Sequence, residues 1–547
     1  MKFYKMIKLF KLFQMRNVFI LVVCFVFFTS FSGHGQTNEA IITSFRNMES
    51  GNLNNSNFKV WKGEILILPI RLNSKSGIPL TFKLDSKNLA VSSSVYQLHY
   101  VEGDKSAGYC GTDKSGGVFE KIQFPDRAEK LRSNSLSSDS TSHYILFELL
   151  IDSKAKTGKY PIEILFTQGQ SSYSVKASIQ IINQKLPDIS GLNYKIDFWQ
   201  FPLAVSDYYQ IKPWSENHLT YLSEIFDQLK GINQEAITTS IFWDLYNSSI
   251  KASDEMMVQI IKKSDGTFFY DYSNFEKYVN LGIKKGVGKQ ISVHNLFPWN
   301  NTFFYCEEGS QQVVSIQSAP GTDVYEQFWK PFLVDFSNYL KKKNWFDRVV
   351  MVVDERNISE TIALSKFVEV VAPGLKMGYA GAFDAELSNL MYDYSVPSNV
   401  ILESADLAKR KSLGYQTTIY TSCWERQPNL VIGSNLDDAY YLTMVSKTRG
   451  YDGMLRWAFN KWSPQILTSA IYSDVPSGDA HFVYPGNQFS LRYLVLKDAL
   501  EDVLKFDSKQ KNQRKSGLTD AQNRYSLLNS EDERMKMIDS MKSYLND

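Results

Sequence analysis

Eight short apolar runs recur through the second half of the chain, at 194–200, 237–243, 289–295, 348–354, 375–380, 400–403, 416–420 and 451–458. Helical segments separate most of them, at 216–230, 273–286, 324–343, 357–371 and 435–448, and another follows the last run at 490–505. Strands alternating with helices eight times over predict a (β/α)8 barrel, with an open doubly wound sheet as the alternative. One run is the most telling. Val349-Val350-Met351-Val352-Val353 is wholly apolar, as suits a strand buried on both faces, and it runs directly into Asp354-Glu355-Arg356. Parallel sheets and barrels place their chemistry at that carboxyl end. The same tripeptide returns at Asp532-Glu533-Arg534 without a strand before it, and reads there as a solvated helix face.

Residues 1–35 read as a signal peptide: Lys2, Lys5, Lys8, Lys11 and Arg16 precede an apolar stretch, Val18 to Phe28, and small residues lead to a cleavage point after Gly35. The stretch is short for a membrane span, and Cys24 lies inside it rather than at its end, so no transmembrane segment and no lipid anchor are expected in the mature chain. A secreted or periplasmic protein is expected. Residues 36–186 carry β-like runs at 64–72, 144–151, 160–166 and 175–182 between Gly, Ser, Asn and Asp turns, and predict an N-terminal antiparallel β-sandwich. The barrel is then expected over 187–507. Residues 508–547 read as a charged tail with one surface helix at about 529–545.

Without its five-cation leader the chain holds 55 Lys and Arg against 58 Asp and Glu, so no basic field offers itself to nucleic acid. Cys110, Cys306 and Cys423 are isolated and odd in number, which predicts idle thiols rather than disulfides or a zinc site. No His/Asp/Glu cluster has metal spacing, no glycine-rich phosphate loop follows an early strand, and no nucleophile elbow supports a Ser-His-Asp reading. Neither a metal nor another cofactor is expected. The chain has 10 Trp and 31 Tyr, and aromatic faces stack on the C–H faces of sugar rings, so a secreted chain of this kind is a candidate for handling glycans.

Asp354 and Glu355 fit glycoside cleavage awkwardly. Paired catalytic carboxyls stand about 5–5.5 Å or 6.5–9.5 Å apart on opposite sides of the bond, whereas neighbours on a strand point to opposite faces. Only a strand end that breaks into a loop aims both at one pocket. An adjacent pair suits substrate-assisted catalysis, in which the sugar's 2-acetamido oxygen attacks the anomeric carbon. One carboxylate then holds the acetamido N–H, and the other is general acid and then general base. An ionised Asp354 is expected to keep Glu355 protonated.

Several segments resemble, in order and spacing, the catalytic domain of glycoside hydrolase family 123. They are Trp199-Gln200-Phe201-Pro202, Trp214-Ser215-Glu216-Asn217-His218, Asp271-Tyr272-Ser273, Trp345-Phe346-Asp347, Asp354-Glu355-Arg356, Asp452 to Trp462, Gly478-Asp479, Tyr484-Pro485-Gly486 and Ser490-Leu491-Arg492. The likeness reaches the first domain at Val60-Trp61-Lys62-Gly63-Glu64 and Pro125-Asp126. It implies a β-sandwich, a catalytic barrel and a retaining, exo-acting β-N-acetylgalactosaminidase whose substrate is a glycan ending in a β-linked N-acetylhexosamine. Carried onto this chain, Asp354 would orient the acetamido group and Glu355 would be the acid/base.

Other candidates come from their positions. Trp457 and Asn460, beyond the eighth strand, suit a stacking face and a hydroxyl partner; Trp199 and Gln200 close the first strand; His294 and Asn295 end the third. Arg356 can orient the dyad or cap the turn, and Tyr484 sits on a tight turn from which it can reach the pocket. A glycosidase for N-acetylglucosaminides or plain galactosides, and a silent glycan-binding protein on the same fold, stay open as alternatives.

Overall fold

The computed structural model describes residues 39–45, 57–105, 110, 120–136, 142–246, 250–425, 427–512 and 530–547. The expected signal peptide lies outside them. Two sheets face one another in the N-terminal part. One joins Glu39–Ile42, Ile65–Asn73, Ser142–Ile151, Val91–Asp104 and Lys121–Lys130; the other joins Asn57–Lys62, Ser171–Lys185, Gly158–Gln168, Leu80–Asp85 and Ser135–Leu136. Alternate residues of each strand point inward, so Ile70, Leu72, Ile145 and Phe147 pack against Ile162, Ile164, Phe166 and Ile179. The pairs are antiparallel except Ser171–Lys185 with Asn57–Lys62, which run parallel.

The barrel strands are β1 (Lys195–Phe198), β2 (Ala236–Ser240), β3 (Gln290–His294), β4 (Val349–Asp354), β5 (Lys376–Ala380), β6 (Asp393–Pro397), β7 (Gln416–Tyr420) and β8 (Gly453–Arg456). Parallel ladders run from β2 through β3 to β8 and on to β1. Gly453 lets β8 approach β1, because a Cβ there would stand 1.9 Å from the Lys195 carbonyl oxygen. Two side-chain amides bridge the remaining seam. Gln234 accepts from Phe198 N and donates to Phe198 O, both at 2.9 Å, and Gln200 accepts from Thr238 N at 2.7 Å.

Three expectations are corrected, and one sheet is added. The sixth strand is 393–397, not 400–403: its inward-facing Asp393 and Ser395 hide the apolar pattern, while Ile401 is exposed. Excursions after β2 and β3 build an extra four-stranded sheet from Gln259–Lys262, Phe268–Asp271, Thr302–Glu307 and Val313–Gln317. The terminal helix Glu531–Asn546 docks on the protein, burying Ile538, Met541 and Leu545. Within its first turn Glu533 completes a capping box with Ser530, and Arg534 is buried beside Asp438, 3.4 Å away. Cys110 and Cys423 form a disulfide across 313 residues, and among the described residues only Cys306 is a buried thiol.

The sandwich is welded to the barrel rather than tethered. The hairpin Val483–Tyr484 and Gln488–Ser490, which follows the barrel, adds two strands to the first sheet beside Lys121–Lys130. At this junction Asp126 receives Arg492 at 3.0 Å and the Tyr484 hydroxyl at 2.6 Å, all three side chains being buried. Nearby, Glu64 accepts from Trp61 N at 2.6 Å and from Lys505 Nζ at 2.7 Å, and Lys505 also pairs with Asp502 at 2.9 Å. Removing one partner from such a buried network leaves a charge uncompensated. Asp126→Ala is therefore expected to lose about 3–5 kcal/mol of unfolding free energy in urea. Lys59→Ala, which breaks the exposed pair with Asp547, should leave it unchanged within error.

Candidate active site

A cavity of about 610 Å³ opens at the carboxyl ends of the barrel strands, lined by Tyr246, Trp299, Asp354, Glu355, Tyr420 and Trp457 among others. The apolar run of β4 is buried from Val349 to Val353 and surfaces at Asp354. The next residue leaves the strand. Glu355 takes φ +48°, a left-handed conformation that costs a side-chain-bearing residue about 1–2 kcal/mol. Its N–H still bonds Ala380 O on β5 at 2.7 Å. The turn removes the strand alternation at the one point where it would send the two carboxylates apart, and both line the cavity.

A tyrosine holds each carboxylate. The Tyr246 hydroxyl donates to Asp354 Oδ2 at 3.1 Å, and the Tyr420 hydroxyl to Glu355 Oε1 at 2.6 Å. Tyr420 is the last residue of β7. Tyr246 stands on the loop after β2, and Asn295 fixes that loop: it accepts from Ile241 N and Phe242 N and donates to Asp244 O and Leu245 O. Trp299 follows β3, and Arg356 secures its loop by donating to Trp299 O at 2.6 Å, bonding Asn301 and lying 4.4 Å over the Phe297 ring. Trp457 donates to Asp479 Oδ2 at 2.7 Å, and the other oxygen of Asp479 pairs with the fully buried Arg456 at 3.1 Å. Lys461 Nζ stands 5.3 Å over Trp457 and 5.9 Å over Tyr246.

Burial among these rings raises the pKa of Asp354 to about 7, and the charge of Glu355 adds to the effect. Donors on Tyr246 and Trp299 and the Arg356 cation work against it. The sequence alone leads one to expect an ionised Asp354; burial instead favours a proton on Asp354 below about pH 7.

Of the candidate residues, Asp354, Glu355 and Trp457 line the cavity. Arg356 acts on the Trp299 loop rather than reaching in. The structure places the other six outside the cavity lining. Gln200 bridges the barrel seam, and Asn295 has all four amide hydrogen bonds filled by backbone, leaving none for a ring hydroxyl. Asn460 clamps Phe201 through both its N–H and its carbonyl. Trp199 is buried in the apolar floor with Val350, Val352 and Leu455. His294 lies edge-on to Trp199 at 4.5 Å, and burial pushes its pKa down to about 3, so the ring is neutral. Tyr484 belongs to the junction with the sandwich. Tyr246, Trp299, Tyr420, Trp424, Lys461 and Asp479 were not foreseen. The signal for Tyr420 was its place as the last residue of a barrel strand, and Asp479 stood in a quoted motif.

At the opposite end of the barrel a cavity of about 390 Å³ is lined by Lys195, Gln290 and Asp452, among others. Lys195 is engaged there by Asp393, by Asp197 at 3.5 Å and by Gln290 at 3.1 Å. That end holds the barrel together. Among the described residues no group of three or more His, Cys, Asp or Glu is arranged to hold a metal ion. No helix among them is long and apolar enough to cross a membrane.

Residues 199–508 match the family described as Glycoside hydrolase 123, catalytic domain. Among solved structures, a family 123 glycoside hydrolase from Clostridium perfringens, described in terms of glycolipid glycan hydrolysis, aligns at 24% identity with a TM-score of 0.81, covering 93% of this chain and 98% of its own. That likeness extends over sandwich and barrel together. A β-glucuronidase from Parabacteroides merdae aligns at 9% identity, over 84% of this chain and 52% of its own, with a TM-score of 0.30, too low to bear on the fold. No curated protein matches the sequence.

The raised pKa of Asp354 has a consequence for stability. The unfolded chain releases this proton near the ordinary 3.8, the folded one near 7. Between those values the folded state binds more protons, so this group's contribution is present below about pH 4 and is lost as pH rises through 7. Asp354→Asn removes the dependence. Its melting temperature should exceed that of the wild type by about 2 °C or more at pH 8, with the gap closing toward pH 4, as read by calorimetry.

Proposed function

Since the chain belongs to glycoside hydrolase family 123, we propose that it is a secreted, retaining β-N-acetylgalactosaminidase that acts at glycan ends by substrate-assisted catalysis. The observation that carries this reading is the left-handed turn at Glu355, which sets two consecutive carboxylates in one cavity, each under a tyrosine hydroxyl. Two groups so close suit a reaction whose nucleophile comes from the substrate, since neither has to attack from across the ring.

In this mechanism the sugar stacks among Tyr246, Trp299 and Trp457. Its acetamido N–H donates to Asp354, which favours the ionised carboxylate and works against the burial that raises its pKa. The acetamido oxygen attacks the anomeric carbon while Glu355 protonates the departing glycosidic oxygen, giving an oxazolinium ion whose charge Asp354 balances. Glu355 then takes a proton from water as it opens that ring, and two inversions leave the β configuration retained. Tyr246 keeps Asp354 turned toward the acetamido group, and Tyr420 keeps Glu355 turned toward the glycosidic oxygen.

Secretion is supported by the basic and apolar leader at residues 1–35 and by the Cys110–Cys423 disulfide, which suits an oxidising compartment. The Clostridium perfringens relative is described in terms of glycolipid glycan hydrolysis, so glycolipid glycans are the substrate class to try first.

The test is turnover of aryl β-N-acetylgalactosaminide, with aryl β-galactoside and aryl β-N-acetylglucosaminide alongside. The wild type should cleave the first and leave the plain galactoside intact. Glu355→Gln and Asp354→Asn should each lower kcat by about 10²–10⁴-fold. Comparable cleavage of the galactoside would refute acetamido participation, and a faster N-acetylglucosaminide would reassign the sugar.

A further inference from the structure

Trp424 lines the catalytic cavity and yet keeps 70% of its surface exposed. The loop that carries it is fixed from several directions. Glu425 accepts from both the N–H and the hydroxyl of Ser422, at 2.8 and 2.6 Å, and Ser422 Oγ accepts from Trp424 N at 3.3 Å. Asn429 donates to Ser422 O at 3.0 Å and to Glu425 O at 2.6 Å. The neighbouring residue, Cys423, is bonded to Cys110 of the sandwich, and both cysteines also line the cavity. An indole so exposed gains little from folding, and these contacts fix the backbone on either side of it. An aromatic face held rigidly open beside a sugar site is a surface for another ring.

Its side of the cavity says which ring. The loop continues directly from Tyr420, whose hydroxyl holds Glu355, whereas Tyr246 and Trp299 act on Asp354. On the reading above, which this inference rests on, Glu355 protonates the departing oxygen and Asp354 faces the acetamido group. Trp424 therefore stands on the leaving-group side. We propose that Trp424 is the stacking platform for the sugar unit that carries the terminal aminosugar, and that the Cys110–Cys423 disulfide holds this platform in register with Glu355. The chain thus selects an aminosugar linked to a second sugar ring over one linked to a small alcohol, and the sandwich takes part in that selection through Cys110.

The experiment compares kcat/KM for a β-N-acetylgalactosaminyl-galactose disaccharide with that for methyl β-N-acetylgalactosaminide, whose leaving group is too small to stack. The ratio of the two is the readout. Trp424→Ala should lower it about three- to tenfold, a stacking contribution converted to affinity, while Trp424→Phe keeps most of it. The double variant Cys110→Ser/Cys423→Ser should lower the same ratio, with melting temperature followed in parallel. An unchanged ratio in Trp424→Ala, or an equal fall on both substrates, would overturn the platform while leaving the dyad intact. A wild type that cleaves neither substrate would overturn the proposed activity, and the platform with it.

Discussion

Two carboxylates on consecutive residues of a strand point to opposite faces of the sheet, and the site depends on how this chain escapes that rule. The buried run of β4 holds Asp354 in ladder register, and one left-handed residue, Glu355, turns the second carboxylate back into the same cavity. The surroundings keep that strained backbone in place. Glu355 N bonds β5, Tyr420 at the end of β7 holds its carboxylate, and Tyr379 on β5 donates to Arg356 O at 2.9 Å. Strain of this kind persists only where neighbours over-determine it.

The rest of the molecule reads as support for that turn. Aromatic residues from the loops after β2, β3, β7 and β8 line the cavity, and each loop is fixed from behind: Asn295 for Tyr246, Arg356 for Trp299, the disulfide and Glu425 for Trp424, and Asp479 with Arg456 for Trp457. The sandwich contributes through the buried Asp126–Arg492–Tyr484 and Glu64–Lys505–Asp502 groups, which join it to the end of the barrel. A barrel whose last hairpin completes a sheet of the other domain cannot open without disturbing both.

Much of the architecture was legible in the sequence because it follows from apolar periodicity. Seven barrel strands and the main helices lie where their patterns place them, and β6 escaped because Asp393 and Ser395 face inward. The position of the two acids at a strand's carboxyl end was legible from a buried run that ends in them. The functions of other polar residues were not. Gln200, Asn295 and Asn460 stand beside strand ends, where an amide can hold a sugar hydroxyl or staple a loop, and the hydrogen-bonding capacity is the same for both tasks. Only the count of filled bonds separates them. The motifs Val60 to Glu64, Pro125-Asp126, Tyr484-Pro485-Gly486 and Ser490 to Arg492 point to the family, yet the structure gathers them at the junction between domains rather than at the cavity. The Cys110–Cys423 bond was beyond reach, because a spacing of 313 residues carries no local signal.

The central claim is that the nucleophile belongs to the substrate. Its most direct measurement is kcat/KM for a series of aryl β-N-acylgalactosaminides in which the acetyl group carries none, one, two and three fluorines. Each fluorine withdraws electrons from the acyl oxygen and weakens its attack while leaving the leaving group unchanged. Participation predicts a steep, monotonic fall along the series; a flat series would place the nucleophile on the enzyme or on water and contradict it.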